Sequence, residues 1–110
     1  MKNTFHIGLE ERWDQFTLLE QMANIGAEVG RAIKWKDKSN TDLSTSALYR
    51  GLELFDLTIK DKKNKSSLKE LLRVREAIVD FIIGENIYKS SNVIWGKYFL
   101  FFNLAARTDR

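Results

Sequence analysis

Apolar residues recur along most of this chain at spacings of three and four, the period of a helix with one buried side. Clusters of Ser, Thr, Asn, Asp and Gly divide that pattern into four segments. In the first, Leu18, Met22, Ile25, Val29 and Ile33 share a face, and Thr17-Leu18-Leu19-Glu20 has the form of a capping box. Lys34, Lys36 and Lys38 suit the negative pole of that helix. The second carries a broad apolar arc through Leu43, Ala47, Leu48, Leu52, Leu54, Phe55, Leu57 and Ile59, with Tyr49, Glu53, Asp56 and Lys60 opposite. The third opens on another capping-box pattern, Ser67-Leu68-Lys69-Glu70, and stops at Gly84, where a left-handed residue is expected. The fourth is dense in aromatics: Trp95, Tyr98, Phe99, Phe101 and Phe102.

The periodicity therefore predicts helices over approximately 18–38, 43–60, 68–83 and 91–107. Helices of ~15–20 residues with loops of ~5–8 favour antiparallel neighbours. The expected fold is all-α, an antiparallel up-down four-helix bundle, one domain over residues 1–110. Residues 9–16 read as a short helix or an irregular lead-in that covers the bundle end.

Three places break the pattern. Arg75 falls on the third helix's apolar stripe between Leu68, Leu71, Leu72, Val79 and Ile82. A buried guanidinium needs a partner, and Glu28 and Glu53 are the nearest candidates for a buried ion pair; a contact to a ligand or an RNA phosphate is the alternative. On the fourth helix, Trp95, Tyr98, Phe99, Phe102 and Ala105 fit a core face, while Leu100 and Leu104 project elsewhere with Gly96, Asn103 and Arg107. A helix apolar most of the way round usually buries a second face. Leu100, Leu104 and the outward Trp35 thus mark an expected interface, with a second copy or a protein partner, against the plainer reading of scattered surface apolars. Ala23, Gly26, Ala27 and Gly30 place small residues inside the first helix, where each glycine costs ~1 kcal/mol relative to Ala. A close helix crossing explains them; a ligand-admitting notch is the alternative.

Composition narrows the class of function. The 110 residues are 44% hydrophobic and 12% aromatic, enough for a core. With no cysteine there is no disulfide or thiolate site, which fits a reducing, cytoplasmic setting. Met1–Gly8 lacks the apolar stretch of a secretory signal. The longest apolar run, Tyr98 to Phe102, is far below the ~20 residues that span a bilayer, so no membrane partner is expected. His6 is the only histidine, so neither a di-iron carboxylate bundle nor a zinc site is expected, and Ser–His or Cys–His catalysis has little support. No catalytic residue, metal or cofactor is assigned. The net charge of +3 permits RNA binding without demanding it. Lys62, Lys63 and Lys65, with Lys60, Lys69, Arg107 and Arg110 at the same end, are candidate phosphate contacts or simply a solvated turn.

Several resemblances add to this. Glu10-Glu11-Arg12-Trp13-Asp14, Glu53-Leu54-Phe55-Asp56 and Glu76-Ala77-Ile78-Val79-Asp80 are loosely similar to the carboxylate clusters of all-α nucleotide pyrophosphohydrolases of the MazG type. That resemblance implies Mg²⁺-dependent hydrolysis needing converging carboxylates. More broadly, Glu11 to Gly26, Arg50 to Thr58 and Leu68 to Glu76 resemble a family of short prokaryotic proteins to which no activity is attached. The architecture is also similar to HEPN domains, ribosomal-RNA intervening-sequence proteins and the accessory proteins of diversity-generating retroelements. HEPN ribonucleases carry R-x(4–6)-H, but after Arg75 the corresponding positions are Asp80, Phe81 and Ile82. The resemblance therefore implies association and RNA or protein binding without cleavage. The expected function is a non-catalytic, self-associating interaction module, with the Mg²⁺-dependent hydrolase as the alternative.

Overall fold

A computed structural model describes residues 9–108, which fold entirely into helices and their connections. His6, Arg110 and the rest of Met1–Gly8 lie outside them. The helices are α1 (Leu9–Trp13), α2 (Leu18–Asp37), α3 (Thr41–Lys60), α4 (Leu68–Ile82) and α5 (Asn92–Thr108), with a 3-10 helix over Lys62–Ser67. The long helices match the four expected spans to within two residues at each end.

Local chemistry sets most of the boundaries. Thr17 caps α2 as its sequence predicts: its hydroxyl accepts from Glu20 N, and the Glu20 carboxylate accepts from Thr17 N. Ser39, with φ of 60°, then ends the helix in a left-handed turn. Asn40 N donates to Trp35 O and Ser39 N to Lys36 O, the paired bonds of a Schellman motif. The Asn40 side chain in turn caps α3 by accepting from Leu43 N at 3.1 Å. A single turn over residues 38–40 thus closes one helix and opens the next.

Two expected boundary devices differ from the sequence pattern. Ser67 makes no side-chain cap bond, because it already belongs to the 3-10 helix that runs straight into α4. Gly84 is not left-handed. A Cβ there would come within 2.9 Å of the Asp80 backbone, so close approach is what requires glycine. The left-handed residues of that loop are Asn86 and Lys89.

The core is built around α2. Met22, Ile25 and Val29 are buried against Ala47, Leu48, Leu54 and Phe55 of α3 and Leu71, Val74, Ile78 and Ile82 of α4. Ser44 donates its hydroxyl to Ala32 O across the close α2–α3 contact. On its other side α2 meets α5, where Gly26 lets Phe99 lie directly on the helix backbone: a Cβ at Gly26 would sit 2.7 Å from the ring. Gly30 has no such neighbour, so the close-crossing explanation holds for one glycine of the pair.

Candidate functional site

The core side of α5 is Trp95, Phe99 and Ala106, with Tyr98, Phe102 and Ala105 half-buried beside them. Stepping 100° per residue, the opposite side carries Val93, Ile94, Lys97, Leu100, Phe101 and Leu104. The five apolar members of that set are each between 50% and 64% exposed. Arg107 lies at its edge and is exposed. The helix contains no acidic residue, so its outer face is apolar with two cations, of which Arg107 shares a depression with Glu20 of α2. Its apolar members run along α5 on either side of Lys97, and exposed apolar strips of this kind mark contact surfaces.

The structure therefore keeps Leu100 and Leu104 together on one exposed face and adds Val93, Ile94 and Phe101 to it. Trp35 is elsewhere. It is half-buried near the end of α2, with the Lys34 and Lys38 ammonium groups 5.8 and 5.6 Å from its ring.

Several depressions border the outer helices, three of them flanking the apolar faces of α4 and α5. One of about 390 Å³ runs between α2 and α5 over Ala23, Ala27, Gly30, Gly96 and Asn103. A second, about 300 Å³, separates Glu70 and Leu71 of α4 from Tyr98 and Phe102 of α5. Tyr98 donates to Glu70 Oε2 across this gap at 3.4 Å, and burial beside that carboxylate pushes its hydroxyl pKa upward. The third, about 440 Å³, lies on the outer side of α4 between Leu72, Glu76 and Val79 and the overlying Ile87 and Tyr88. Here Asp80 accepts from Ile87 N at 2.8 Å and from Tyr88 N at 3.0 Å. Asn86 and Ser90 exchange two further bonds. The loop is thereby tied down over the groove.

The expected buried ion pair takes a different form. Arg75 is half-buried and pairs with Asp56 at 2.9 Å; Glu28 instead holds Arg31 and Arg50. The reason is rotational. Leu68 and Leu72 widen the apolar stripe of α4 in sequence, but both are exposed, and the face in the core is centred on Leu71, Val74, Ile78 and Ile82. Arg75 consequently sits at the flank and reaches Asp56. Glu53, expected opposite the apolar arc, is half-buried.

Among the candidate phosphate contacts, Lys62 and Lys65 are exposed on the 3-10 helix, while Lys63 is engaged within the fold. Its ammonium group donates to the Asp61 carboxylate and to Asp14 O. Lys62 lines a depression with Lys60, Glu10, Asp14 and Asp61, an arrangement of mixed charge and not a phosphate cradle. Arg107 lies toward this end as expected, in a depression with Phe16 and Glu20, and at the edge of the α5 strip.

This end of the molecule holds a feature that helical periodicity does not mark. Gln21, Thr58, Asp61 and Asn64 are all buried. Gln21 donates to Trp13 O and to Asp61 Oδ2, both at 3.0 Å, and accepts from Asn64 at 2.8 Å. Asn64 also donates to Thr58 O, and the Trp13 indole donates to the Thr58 hydroxyl. One clasp thus joins α1, α2, α3 and the 3-10 helix. Burial raises the Asp61 carboxyl pKa, but hydrogen bonds from Lys63 and Gln21 and the Lys63 charge outweigh it and hold the group below its ordinary value.

The carboxylates of the hydrolase alternative do not converge. Asp56 holds Arg75, Asp80 holds loop amides and Glu10 holds Lys60. Among the described residues no group of three His, Asp or Glu side chains could hold a metal ion, and no helix is long and apolar enough to cross a membrane. Compared with protein families, curated proteins and solved structures, the chain matches none, so its function rests on this geometry alone.

Proposed function

We propose that this chain is a non-catalytic interaction module, an antiparallel four-helix bundle that associates with copies of itself through the outer face of α5. The observation that carries the reading is the strip Val93, Ile94, Leu100, Phe101 and Leu104, with Lys97 among them, its apolar members half or more exposed in a helix without an acid. Covering the exposed part of each side chain stabilises by on the order of 1 kcal/mol, so five together supply a useful fraction of an association energy. The bundle arrangement is supported by the tight α2–α3 turn at residues 38–40 and by α3 passing through the 3-10 helix into α4. A cytoplasmic setting agrees with the absence of cysteine.

RNA is left out of this reading. With Lys63 engaged by Asp61 and Asp14 O and Lys60 paired with Glu10, Lys62, Lys65 and Lys69 give few phosphate contacts for substantial affinity at ordinary salt.

The test is the mass in solution, by sedimentation velocity over a hundredfold range of concentration, of the natural chain and of a Leu100→Glu/Leu104→Glu variant. The natural chain is expected to associate and the variant to remain a monomer with an unchanged far-ultraviolet spectrum. A natural chain that stays monomeric throughout refutes the proposal.

A further inference from the structure

The association surface on α5 needs an opposing surface, and the same face on a second copy is a poor one. Across a two-fold axis, Lys97 and Arg107 of each copy would meet a helix with no acid. The groove outside α4 supplies what that arrangement lacks. It is concave, about 440 Å³, with Leu72, Val79 and Ile87 as its apolar lining. Its charged lining is Glu76, Asp80 and Arg75, and Arg75 is already neutralised by Asp56. Arg73, whose charge reaches Tyr88, and Lys89, next in the loop, stand outside that lining. The groove is thus acidic and apolar where α5 is basic and apolar.

It is also preformed. Asp80 accepts both Ile87 N and Tyr88 N, and the Asn86–Ser90 exchange closes the loop behind them. Little ordering remains to be done on binding, which lowers the cost of association. Ile87, 73% exposed, is the most exposed of the large apolar side chains described, although its backbone is fixed in place. A rigidly held, solvated isoleucine at the rim of an apolar groove is what a docking site presents before it is filled.

Resting on the reading that α5 is the association surface, we infer that its outer face docks into the α4 groove of a second copy, making a head-to-tail contact. Lys97 and Arg107 then come near Glu76 and Asp80, while Val93, Leu100 and Leu104 cover Leu72, Val79 and Ile87. Such a contact leaves one α5 and one groove unfilled in any pair. The assembly either closes into a ring or extends as a chain, and a two-fold dimer is not its end point.

Mixing two broken proteins tests this directly. One carries Leu100→Glu/Leu104→Glu and keeps its groove; the other carries Leu72→Glu/Ile87→Glu and keeps its α5. All four positions are about half exposed or more, and the added charges share one sign, so the altered faces cannot pair with each other. Each alone is expected at monomer mass, and an equimolar mixture at twice that mass with nothing larger. Two monomers that fail to combine, or a groove variant that assembles like the natural chain, would overturn the head-to-tail contact while leaving α5 as an association surface. A natural chain that never associates removes the underlying reading as well. Should the groove variant melt early, the surface change Glu76→Lys serves in its place. It is expected to weaken assembly about tenfold by placing like charges together, and an unchanged affinity overturns the contact.

Discussion

Two regions of this molecule invert the usual distribution of residue types, and they do so in opposite senses. Around the 3-10 helix, Gln21, Thr58, Asp61 and Asn64 are polar and buried. Along α5, Val93, Ile94, Leu100, Phe101 and Leu104 are apolar and exposed. The first departure is closed on itself: each of those four polar side chains makes hydrogen bonds inside the fold. Nothing in the protomer closes the second. A buried polar group with partners specifies one arrangement of its own chain, whereas an exposed apolar strip leaves its arrangement to be completed from outside. The clasp explains how the fold is fixed, and the α5 strip is the surface that the proposed association would cover.

Substitutions can break that contrast. The largest effect is expected for Gln21→Leu, which keeps the bulk but leaves Trp13 O, Asp61 and Asn64 each short of a bond. Burying such unpaired groups costs about 3 kcal/mol in total. Urea denaturation reads this, and a loss below ~1 kcal/mol would mean the clasp is incidental. Next is Gly26→Ala, which drives a methyl to 2.7 Å from Phe99 and forces α5 away from α2. A loss of about 2 kcal/mol is expected. The control is Gly30→Ala, where nothing lies within 4 Å and helix propensity alone acts. It should raise stability by up to ~1 kcal/mol, and equal thermal shifts for the two variants would remove the assigned role of Gly26.

A smaller effect separates the regions by pH. The Asp61 carboxyl is depressed below its ordinary 3.8 in the folded protein. Its contribution is fully present above that value and is lost as pH falls through the lower folded pKa. Stability measured from pH 6 downward should fall in that acid range, and Asp61→Asn should flatten this part of the profile; an unaltered slope would show that other carboxylates carry it. The smallest effect is expected for Leu100→Glu/Leu104→Glu on the monomer itself, within about 0.5 kcal/mol. A larger drop would mean that α5 already buries these side chains at home.

The helices were legible because burial on one side leaves a period in the sequence, and α2 shows it plainly in Met22, Ile25 and Val29. Leu100 and Leu104 could be separated from the core face of α5 by the same stepping. Phe101, left out of that core face, falls on the outer side by the same stepping, although the sequence alone assigns it no role. Exposed leucines misled in α4, where Leu68 and Leu72 pulled the apparent stripe away from its buried centre and drew Arg75 inward with it. The clasp was hidden for a different reason. Gln21 and Asn64 are far apart along the chain, and an amide is the same in sequence whether it faces water or another amide. The only trace was the polar residue Thr58 within the arc between Leu54, Leu57 and Ile59.

The turn at residues 38–40 has a further consequence, in the order of assembly. Three residues join α2 to α3, so the contact between them forms with little loss of chain entropy and on a fast timescale. Phe99 must find Gly26 across 73 residues of chain. The α2–α3 hairpin is therefore the natural nucleus, and α5 joins a scaffold that already exists. The helix that completes the molecule last is also the one whose outer face is left uncovered.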